Sequence, residues 1–409
     1  MIYGCIGEKL PHSFSREIHA LIGDYPYALQ EIAPAELEGF MARRPFRGIN
    51  VTIPYKQAVI PYLAGLSDTA RAIGAVNTVI NRGDGLQGYN TDFDGLTHLI
   101  RRMGLALAGR KVLILGTGGT GKTAYHAVKA LGAGQALFVS RTGRAGALTY
   151  REAAEKHADA DVILNATPCG MYPAIRDCPL ALAAFPRLSG VVDVIYNPLR
   201  SRLVLEARAR GVPAEGGLYM LAAQAVRAAE LFQDTHYPEA LTEEIYRRIL
   251  RQKENIVLIG MPGSGKSTVA GILGRRLARP VIDTDQWIAQ QAGMPVPGVI
   301  RQFGEGRFRA LETQALADIA PRSGLVIATG GGAVLRPDNV ALLRQNGRLF
   351  FLDRPLDALR PAEDRPLSDT REKLARLYRE RLPVYRQAAD EIIPVRGSAE
   401  ETAGDIEGR

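Results

Sequence analysis

Short apolar runs alternate with amphipathic helical patterns along the whole chain. Apolar runs bounded by turn-forming residues predict buried strands, and apolar residues spaced three and four apart predict helices. Such regular alternation predicts an α/β fold throughout. The main predicted strands comprise residues 2–6, 27–29, 48–53, 109–116, 136–139, 161–168, 190–196, 256–259, 280–282 and 325–328. Helices are predicted at residues 15–22, 35–43, 124–131, 221–232 and 240–250.

Two of the predicted strands lead into similar glycine-rich segments. Residues 116–123 read GTGGTGKT and residues 260–267 read GMPGSGKS, so both fit the expression G-x-x-x-x-G-K-[ST] of a triphosphate-binding loop. In such a loop the glycines let backbone N–H groups close on phosphate, and the following helix N-terminus favours negative charge. The first segment also fits G-x-G-x-x-G, which is typical of dinucleotide-binding folds. The residues that follow the next strand therefore indicate whether each segment binds a triphosphate or a dinucleotide.

The first glycine segment is followed, after its next strand, by Arg141 and Arg144 and by no acidic residue. An acid at this place binds the ribose of NAD, whereas an arginine accommodates the 2′-phosphate of NADP. We therefore predict an NADP(H) site. Its candidate contacts are Gly116, Gly118, Gly119, Gly121, Ser140, Arg141, Thr142, Arg144, Asn165, Thr167 and Gly217. Asn165 can equally serve as a turn-former.

The second glycine segment is followed, after its next strand, by Asp283 and Asp285. A triphosphate enzyme needs a carboxylate near Mg²⁺, so we predict that Asp283 and Ser267 support the metal and that Asp285 accepts the proton of a substrate hydroxyl. In isolation such acids more often cap helices. The predicted ATP contacts are Gly263, Ser264, Gly265, Lys266, Ser267 and Thr268, with Lys266 also catalytic.

Other polar residues cluster at the ends of apolar runs. In the first hundred residues Lys56 and Asp92 stand out, because a lysine beside an aspartate can move a proton to or from an alcohol or a carbonyl. Taken singly, each of these polar residues is explained as a cap, a turn or a solvated side chain. Together they suit a small polyhydroxylated acid. In the second half, Arg309, the glycines 330–332, and Arg381 offer contacts for an acidic substrate.

Composition and charge narrow the class of protein. The chain has 409 residues, 46% hydrophobic content and a net charge of +8, but its basic residues are dispersed, so we predict no nucleic-acid partner. Three cysteines form no C-x-x-C pair, and no apolar run approaches a membrane span. We expect a cytoplasmic monomer or homodimer without a membrane partner.

The first 250 residues resemble the shikimate dehydrogenase family. The matching segments are GEKLPHSFS, GINVTIPYK, GAVNTV, GYNTD, GTGGTGKTA, SRT, NATPCGM, DVIYNP and GLYMLAAQA. The resemblance implies that Lys56 and Asp92 are the catalytic pair and that Arg141, Thr142 and Arg144 grip the 2′-phosphate. It further implies shikimate contacts from Ser13, Ser15, Thr52, Asn77, Asn90, Tyr196 and Gln224. The main departure is Gly121-Lys122, where the family usually has a small residue followed by Arg or a small polar residue.

Residues 254–389 resemble shikimate kinase through GMPGSGKST, DTD, FGEGRFRALE, TGGGAV, DRPLS and RERLPVYRQAAD. The resemblance implies that shikimate is held by Asp285, Arg309, Gly330, Gly331, Gly332 and Arg381. It also implies that Arg365 is the arginine of a mobile cover, rich in Pro, Asp and Arg, over residues 354–371. The departure lies at the end of the chain, where we expect a shortened last helix.

These observations together predict a bifunctional enzyme that reduces 3-dehydroshikimate with NADPH and phosphorylates the resulting shikimate with ATP and Mg²⁺. The predicted domains are a shikimate-binding α/β domain (1–102 with 225–250), an NADP-binding Rossmann domain (103–224), and a P-loop kinase domain with a parallel sheet (254–409). Two alternatives stay open. One is a quinate/shikimate dehydrogenase of the NAD type, which Arg141 and Arg144 disfavour, and the other is a regulator that senses these metabolites without turnover.

Overall fold

The computed structural model describes residues 2–10, 13–361 and 369–409. The chain divides into two compact units, Met1–Arg251 and Gln252–Arg409. Arg365, predicted to belong to a mobile cover, lies outside the described residues. No helix in the described part of the chain is both long enough and apolar enough to span a membrane.

The first sheet of the first unit is mixed and six-stranded, in the order β2-β1-β3-β5-β6-β4. Its first three strands run parallel, and β5 then pairs antiparallel with both β3 and β6. The elements are β1 (Tyr3–Gly7), α1 (Ser15–Ile22), β2 (Tyr27–Glu31), α2 (Leu37–Arg43), β3 (Gly48–Val51), β4 (Gly65–Leu66), α3 (Asp68–Ile73), β5 (Thr78–Asn81), β6 (Leu86–Tyr89) and α4 (Thr91–Arg102). The β5–β6 hairpin was not predicted from the sequence.

The second sheet of this unit is parallel, in the order β12-β11-β10-β7-β8-β9. Residues 112–115, 162–164 and 191–192 of its central strands are apolar and buried, as expected where helices cover both faces of a sheet. The elements are β7 (Lys111–Leu115), α5 (Gly119–Ala130), β8 (Gln135–Ser140), β9 (Leu148–Thr149), α6 (Tyr150–Lys156), β10 (Val162–Asn165), β11 (Gly190–Asp193), α7 (Arg202–Ala209), β12 (Ala214–Glu215), α8 (Leu218–Gln233) and α9 (Ala240–Lys253).

Helices α8 and α9 return to the first sheet and pack on α1 and α4. The apolar residues of α1, α8 and α9 form one buried cluster that includes Ile18, Val226 and Ile245. At its edge the Arg102 guanidinium lies 4.7 Å from the ring centre of Tyr219 and 4.6 Å from that of Tyr246. The same group donates a 2.8 Å hydrogen bond to Glu243. Arg102 thereby joins three helices at one point.

The second unit is a five-stranded parallel sheet in the order β14-β15-β13-β16-β17, flanked by helices. The elements are β13 (Asn255–Ile259), α10 (Lys266–Leu277), β14 (Val281–Asp283), α11 (Thr284–Ala292), α12 (Val296–Ile319), β15 (Val326–Ala328), α13 (Pro337–Asn346), β16 (Gly347–Asp353), α14 (Arg371–Ala388), β17 (Glu391–Pro394) and α15 (Ala399–Glu407). Helix α12 contains one non-helical residue, Gly304, with φ 78°. The predicted α/β fold class, with a parallel sheet in the second unit, is confirmed.

Several predicted boundaries shift for physical reasons. The helix predicted from residue 124 begins at Gly119, because the glycine segment itself supplies the first helical turn. The strand predicted over 48–53 ends at Val51, where a turn begins. The last helix spans nine residues and is started by a reciprocal Ser398–Glu401 capping box. Its residues Ala403 and Ile406 are buried beside α10.

Replacing Arg102 with alanine should loosen α9. Two ring contacts and one partly exposed ion pair are lost, which together contribute about 1–2 kcal/mol. Hydrogen exchange followed by mass spectrometry should show faster exchange in peptides of α4 and α9. Arg101→Ala, on the exposed face of the same helix, is the matched control, and peptides of Gln252–Arg409 are the internal reference. Equal exchange in the two variants would contradict the stabilising role of Arg102.

Candidate active sites

The first candidate site is built on an ion pair between Lys56 and Asp92. The Lys56 ammonium donates to Asp92 Oδ2 at 2.5 Å, and the two side chains are only 16% and 11% exposed. Lys56 lies in the turn after β3, and Asp92 lies in the first turn of α4, where the helix dipole favours a carboxylate. Because water is largely excluded, their attraction is stronger than at an open surface. The pair is suited to exchanging a proton with a bound carbonyl or alcohol.

Amide and hydroxyl groups from three elements meet beside this pair. Asn77 Oδ1 accepts from the Thr91 backbone N–H at 2.6 Å, and Asn77 Nδ2 donates to Thr91 Oγ1 at 3.0 Å. Gln224, on α8, accepts from Asn77 Nδ2 at 3.5 Å. The structure therefore brings together Asn77 and Gln224, which are 147 residues apart. Thr91, which the sequence analysis did not single out, joins them.

The segment that opens α1 faces the loop after β11. The Ser15 backbone N–H donates to Ser13 Oγ at 3.3 Å, and the intervening Phe14 ring packs 5.2 Å from the Tyr196 ring. Burial raises the pKa of Tyr196 to about 12, so its hydroxyl stays protonated. Thr52 is half-buried in the turn after β3. These predicted substrate contacts therefore come from three different loops.

Asn90 is buried between the loop that contains Ala75 and helix α5. Its Oδ1 caps α4 by accepting from the Phe93 backbone N–H at 3.2 Å. Its Nδ2 donates to the Ala75 carbonyl at 2.9 Å and to Thr123 Oγ1 at 3.2 Å. The side chain predicted to contact substrate thus has three partners within the protein.

The first glycine segment has the geometry of a dinucleotide loop. A Cβ atom at Gly121 would lie 2.2 Å from the Gly116 carbonyl oxygen, so only glycine permits this close approach. Gly118 is the N-cap residue of α5 and has no side chain to cap the helix. The backbone N–H groups of the first helical turn are therefore suited to binding a phosphate. A Cβ atom at Gly119 would lie 3.8 Å from Lys56 Cβ. The loop therefore runs directly beside the ion pair.

The segment after β8 carries the groups predicted to select the cofactor. Ser140 Oγ accepts from the Gly143 backbone N–H at 3.1 Å and shapes the turn. Arg141, Thr142 and Arg144 are exposed around this turn. Lys122, the residue that departs from the family pattern, is also exposed on α5. These cationic and hydroxyl groups fit the 2′-phosphate of NADP.

A buried carboxyl organises the next two strand ends. Asp193 Oδ1 accepts from Asn165 Nδ2 and from the Ile195 N–H, both at 3.0 Å, and Oδ2 accepts from Ser201 Oγ at 2.5 Å. Asn165 Oδ1 in turn accepts from Thr167 Oγ1 at 2.7 Å. Burial raises the pKa of Asp193 to about 7. Gly217 closes the same region by donating its backbone N–H to the Ile195 carbonyl at 2.8 Å.

The second glycine segment forms a separate loop in the second unit. Gly263 and Gly265 have φ angles of 80° and 96°, which favour glycine. Lys266 Nζ donates to the carbonyls of Gly260 and Met261 at 2.8 and 2.9 Å. Ser264 Oγ is a buried hydroxyl that lacks a hydrogen-bond partner among the described residues. This loop offers an ammonium, an unsatisfied hydroxyl and a helix N-terminus to a polyphosphate.

Asp283 lies beside this loop and makes hydrogen bonds with both of its carboxylate oxygens. Its Oδ2 accepts from Ser267 Oγ at 2.6 Å, while its Oδ1 caps α11 by accepting from the backbone N–H groups of Asp285 and Gln286 at 3.0 and 3.3 Å. The hydroxyl and the carboxylate are the oxygen ligands that Mg²⁺ prefers. Both the metal and the capping interpretations of Asp283 are therefore compatible with the geometry. Thr268 is exposed in the first turn of α10.

A charged pocket surrounds the glycines that follow β15. Arg309 donates to Glu312 and to Glu305, both at 2.9 Å, and burial raises the pKa of Glu312. A Cβ atom at Gly330 would lie 2.7 Å from Asp285 Oδ1 and 2.8 Å from Glu312 Oε1. Glu312 Oε1 is buried and lacks a hydrogen-bond partner among the described residues. The pocket therefore offers an acceptor to a polyhydroxylated ligand.

Two residues of α14 complete this pocket. Arg381 Nη1 donates to the Gly331 carbonyl at 2.9 Å, and the Tyr385 hydroxyl donates to the same oxygen. A Cβ atom at Gly332 would lie 2.1 Å from Arg309 Nη1, so a larger residue there would displace the Arg309 guanidinium. Glu312 and Tyr385 were not predicted from the sequence as site residues. Their positions three and four residues after Arg309 and Arg381, on the same helix faces, were the available signal.

Comparison with known proteins finds relatives for both halves of the chain. The family model of the shikimate dehydrogenase substrate binding domain matches residues 5–79, and the model of shikimate kinase matches residues 262–407. Shikimate dehydrogenase (NADP(+)) of Clostridium beijerinckii is 33% identical over 261 residues, which cover 60% of this chain and 96% of that protein. The corresponding protein of Moorella thermoacetica is 34% identical, covering 60% of this chain and 92% of its own.

Solved structures of shikimate dehydrogenases are likewise similar to the first unit. Shikimate dehydrogenase 1 of Peptoclostridium difficile superimposes with a TM-score of 0.57 at 32% identity, covering 61% of this chain and 97% of that one. The Thermus thermophilus enzyme, solved with NADP(H) and shikimate, gives a TM-score of 0.55 at 31% identity, covering 61% and 99%. The chain belongs to the shikimate dehydrogenase family, and it carries in addition a shikimate kinase domain over residues 262–407.

Proposed function

We propose that this chain is a bifunctional enzyme of the shikimate pathway. The first unit reduces the C3 carbonyl of 3-dehydroshikimate to the alcohol of shikimate with NADPH. The second unit transfers the γ-phosphoryl group of ATP to the 3-hydroxyl of shikimate. The observation that carries the proposal is the shielded Lys56–Asp92 pair beside the glycine loop of the first unit.

In the first unit, Lys56 and Asp92 manage the proton of the reduction. Bound NADPH supplies the hydride to the carbonyl carbon. The Lys56 ammonium donates a proton to the carbonyl oxygen, so that one hydride and one proton give one alcohol. Asp92, at 2.5 Å, holds the ammonium in position, and the pair runs in the opposite sense when shikimate is oxidised.

Substrate binding in the first unit rests on hydroxyl and amide groups. A ring that carries a carboxylate and several hydroxyl groups needs such donors and acceptors, and their fixed positions provide selectivity. The Tyr196 hydroxyl stays a donor at neutral pH because burial raises its pKa to about 12. The proposed contacts are Ser13, Ser15, Thr52, Asn77, Asn90, Tyr196 and Gln224.

The NADP site extends from the first glycine loop to the turn after β8. The amides of residues 118–121, at the start of α5, suit the pyrophosphate, and Arg141 and Arg144 suit the 2′-phosphate. Thr142 and Ser140 lie in the same turn. Asn165, Thr167 and Gly217 are proposed to complete the nicotinamide side through the buried network around Asp193.

In the second unit, the charged groups align two reactants and stabilise negative charge. Bound ATP with Mg²⁺ supplies the phosphoryl group, and Ser267 and Asp283 are the proposed metal-binding residues. Asp285 accepts the proton of the shikimate hydroxyl, while Arg309 and Arg381 bind the acidic substrate. Lys266 stabilises charge on the transferring phosphate. Arg365 is proposed to add a cation from the cover.

Lys56→Ala should abolish only the reduction of NADP⁺ by shikimate, and Lys266→Ala only the formation of ADP. Loss of a general acid or base costs about 10²–10⁴-fold in rate, and loss of a charge-stabilising group costs about 10²–10³-fold. NADPH absorbance and coupled ADP release measure the two activities in one preparation. Each variant's intact second activity shows that the unaltered unit is folded.

Lys122→Ala is the matched control for Lys266→Ala, because both lysines occupy the same position of the G-x-x-x-x-G-K-[ST] expression. It should leave ADP formation unchanged. Folded wild-type protein without either activity would favour the metabolite-sensing regulator instead. Loss of both activities from one substitution would show that the halves are not independent.

Replacing Arg141 and Arg144 with alanine should weaken NADP⁺ binding selectively. Hydrogen bonds to a charged phosphate contribute about 1.5–3 kcal/mol, so KM for NADP⁺ should rise roughly 10–100-fold. KM for NAD⁺ should stay unchanged because NAD⁺ lacks the 2′-phosphate. Steady-state kinetics with both cofactors measures the effect. A wild-type preference for NAD⁺, with quinate as the better substrate, would assign the protein to the quinate type.

A further inference from the structure

Thr123 is the last residue of the GTGGTGKT segment and has no part in the function described so far. In a triphosphate loop the hydroxyl at this position binds Mg²⁺. Here the side chain is 1% exposed, and its hydroxyl donates to the Gly119 carbonyl at 3.1 Å. The hydroxyl therefore points into the protein and is unsuited to a metal in the loop.

The same hydroxyl accepts a hydrogen bond from the segment that carries the catalytic carboxylate. Asn90 Nδ2 donates to Thr123 Oγ1 at 3.2 Å, and Asn90 is 3% exposed. Asn90 Oδ1 caps the helix whose second residue is Asp92. A continuous series of hydrogen bonds thus runs from the Gly119 carbonyl through Thr123 to Asn90, at the start of α4.

Close packing around Gly119 also links the glycine loop to Lys56 and to Ala75, which contacts Asn90. A Cβ atom at Gly119 would lie 3.6 Å from Ala75 Cβ and 3.8 Å from Lys56 Cβ. Ala75 also accepts from Asn90 Nδ2 through its carbonyl at 2.9 Å. The glycine loop therefore lies directly beside Lys56, and Thr123 and Asn90 connect it to the helix that carries Asp92.

We propose that Thr123 is a positioning residue of the dehydrogenase site, whose hydroxyl ties the cofactor loop to the segment that carries Asp92. The inference rests on the proposed dehydrogenase function. A cofactor that orders the loop also orders the start of α4 through this hydroxyl, so cofactor and substrate favour each other's binding. Such coupling is reciprocal by thermodynamic necessity.

Thr123→Val tests this role, because valine has the shape of threonine without the hydroxyl. Thr123→Ser is the matched control, since it keeps the hydroxyl and loses only a methyl group. NADPH and shikimate are both reduced, so they bind together without turnover. The measured quantity is the factor by which saturating shikimate lowers the Kd of NADPH, obtained by calorimetry, because NADPH binds to the first unit alone whereas shikimate also binds to the second. By reciprocity, the same factor gives the tightening of shikimate at the first site by NADPH.

In wild type and Thr123→Ser, NADPH should tighten shikimate binding. In Thr123→Val that factor should fall roughly three- to ten-fold, as expected for one buried neutral hydrogen bond, and kcat should fall similarly. The Kd of each ligand measured alone should change little. A merely structural defect would instead weaken the binding of each ligand by itself. ADP formation by the second unit should stay at the wild-type level.

Asn90→Ser supplies an independent variant that keeps a capping side chain but removes the donor to Thr123. Asn90→Ser and Thr123→Val break the same hydrogen bond. In the double variant, their effects on the coupling factor should therefore be non-additive. Additive effects would overturn the proposal. So would wild-type coupling in Thr123→Val, equal defects in the valine and serine variants, or wild-type protein without coupling. Absence of NADPH formation in wild-type protein would instead refute the dehydrogenase function itself.

Discussion

The ion pair between Lys56 and Asp92 is the interaction on which the first site depends. A shielded charge without its partner is costly, so both side chains must be held in place by the surrounding chain. Lys56 is held through its own carbonyl, which accepts from the Val76 N–H at 2.7 Å. Asp92 is held by the start of α4, which Asn90 caps. The polar residues around the pair therefore contribute to its geometry as well as to substrate contacts.

The two glycine loops show how one local sequence expression supports two chemistries. In both, backbone amides at a helix N-terminus are suited to binding phosphate, so the expression alone does not distinguish a dinucleotide site from a triphosphate site. The distinction comes from the ends of neighbouring strands. Arg141 and Arg144 follow β8 in the first unit, whereas Asp283 follows β14 in the second and contacts Ser267. The Thr123 hydroxyl is turned inward, and the Ser267 hydroxyl is directed to a carboxylate.

Much of the fold was predictable because short apolar runs alternate with helical patterns, which gave the α/β class. The polar groups that follow apolar runs gave Lys56, Asp92, Asp283 and the glycines 330–332 as candidate site residues. It does not reveal contacts across long sequence separations. The pairing of Asn90 with Thr123, the carboxyl network of Asp193 and the burial of Glu312 depend on tertiary packing. The start of α5 at Gly119 was missed because glycine is a poor helix former, yet here it lies in the first turn.

The central claim is that one chain carries out two successive reactions on one carbon framework. The most direct measurement incubates the wild-type protein with 3-dehydroshikimate, NADPH, ATP and Mg²⁺ and follows the products by mass spectrometry. Shikimate 3-phosphate should form, shikimate alone should form when ATP is omitted, and neither should form when NADPH is omitted. Unchanged 3-dehydroshikimate in the complete mixture, or a phosphorylated product without NADPH, would contradict the claim.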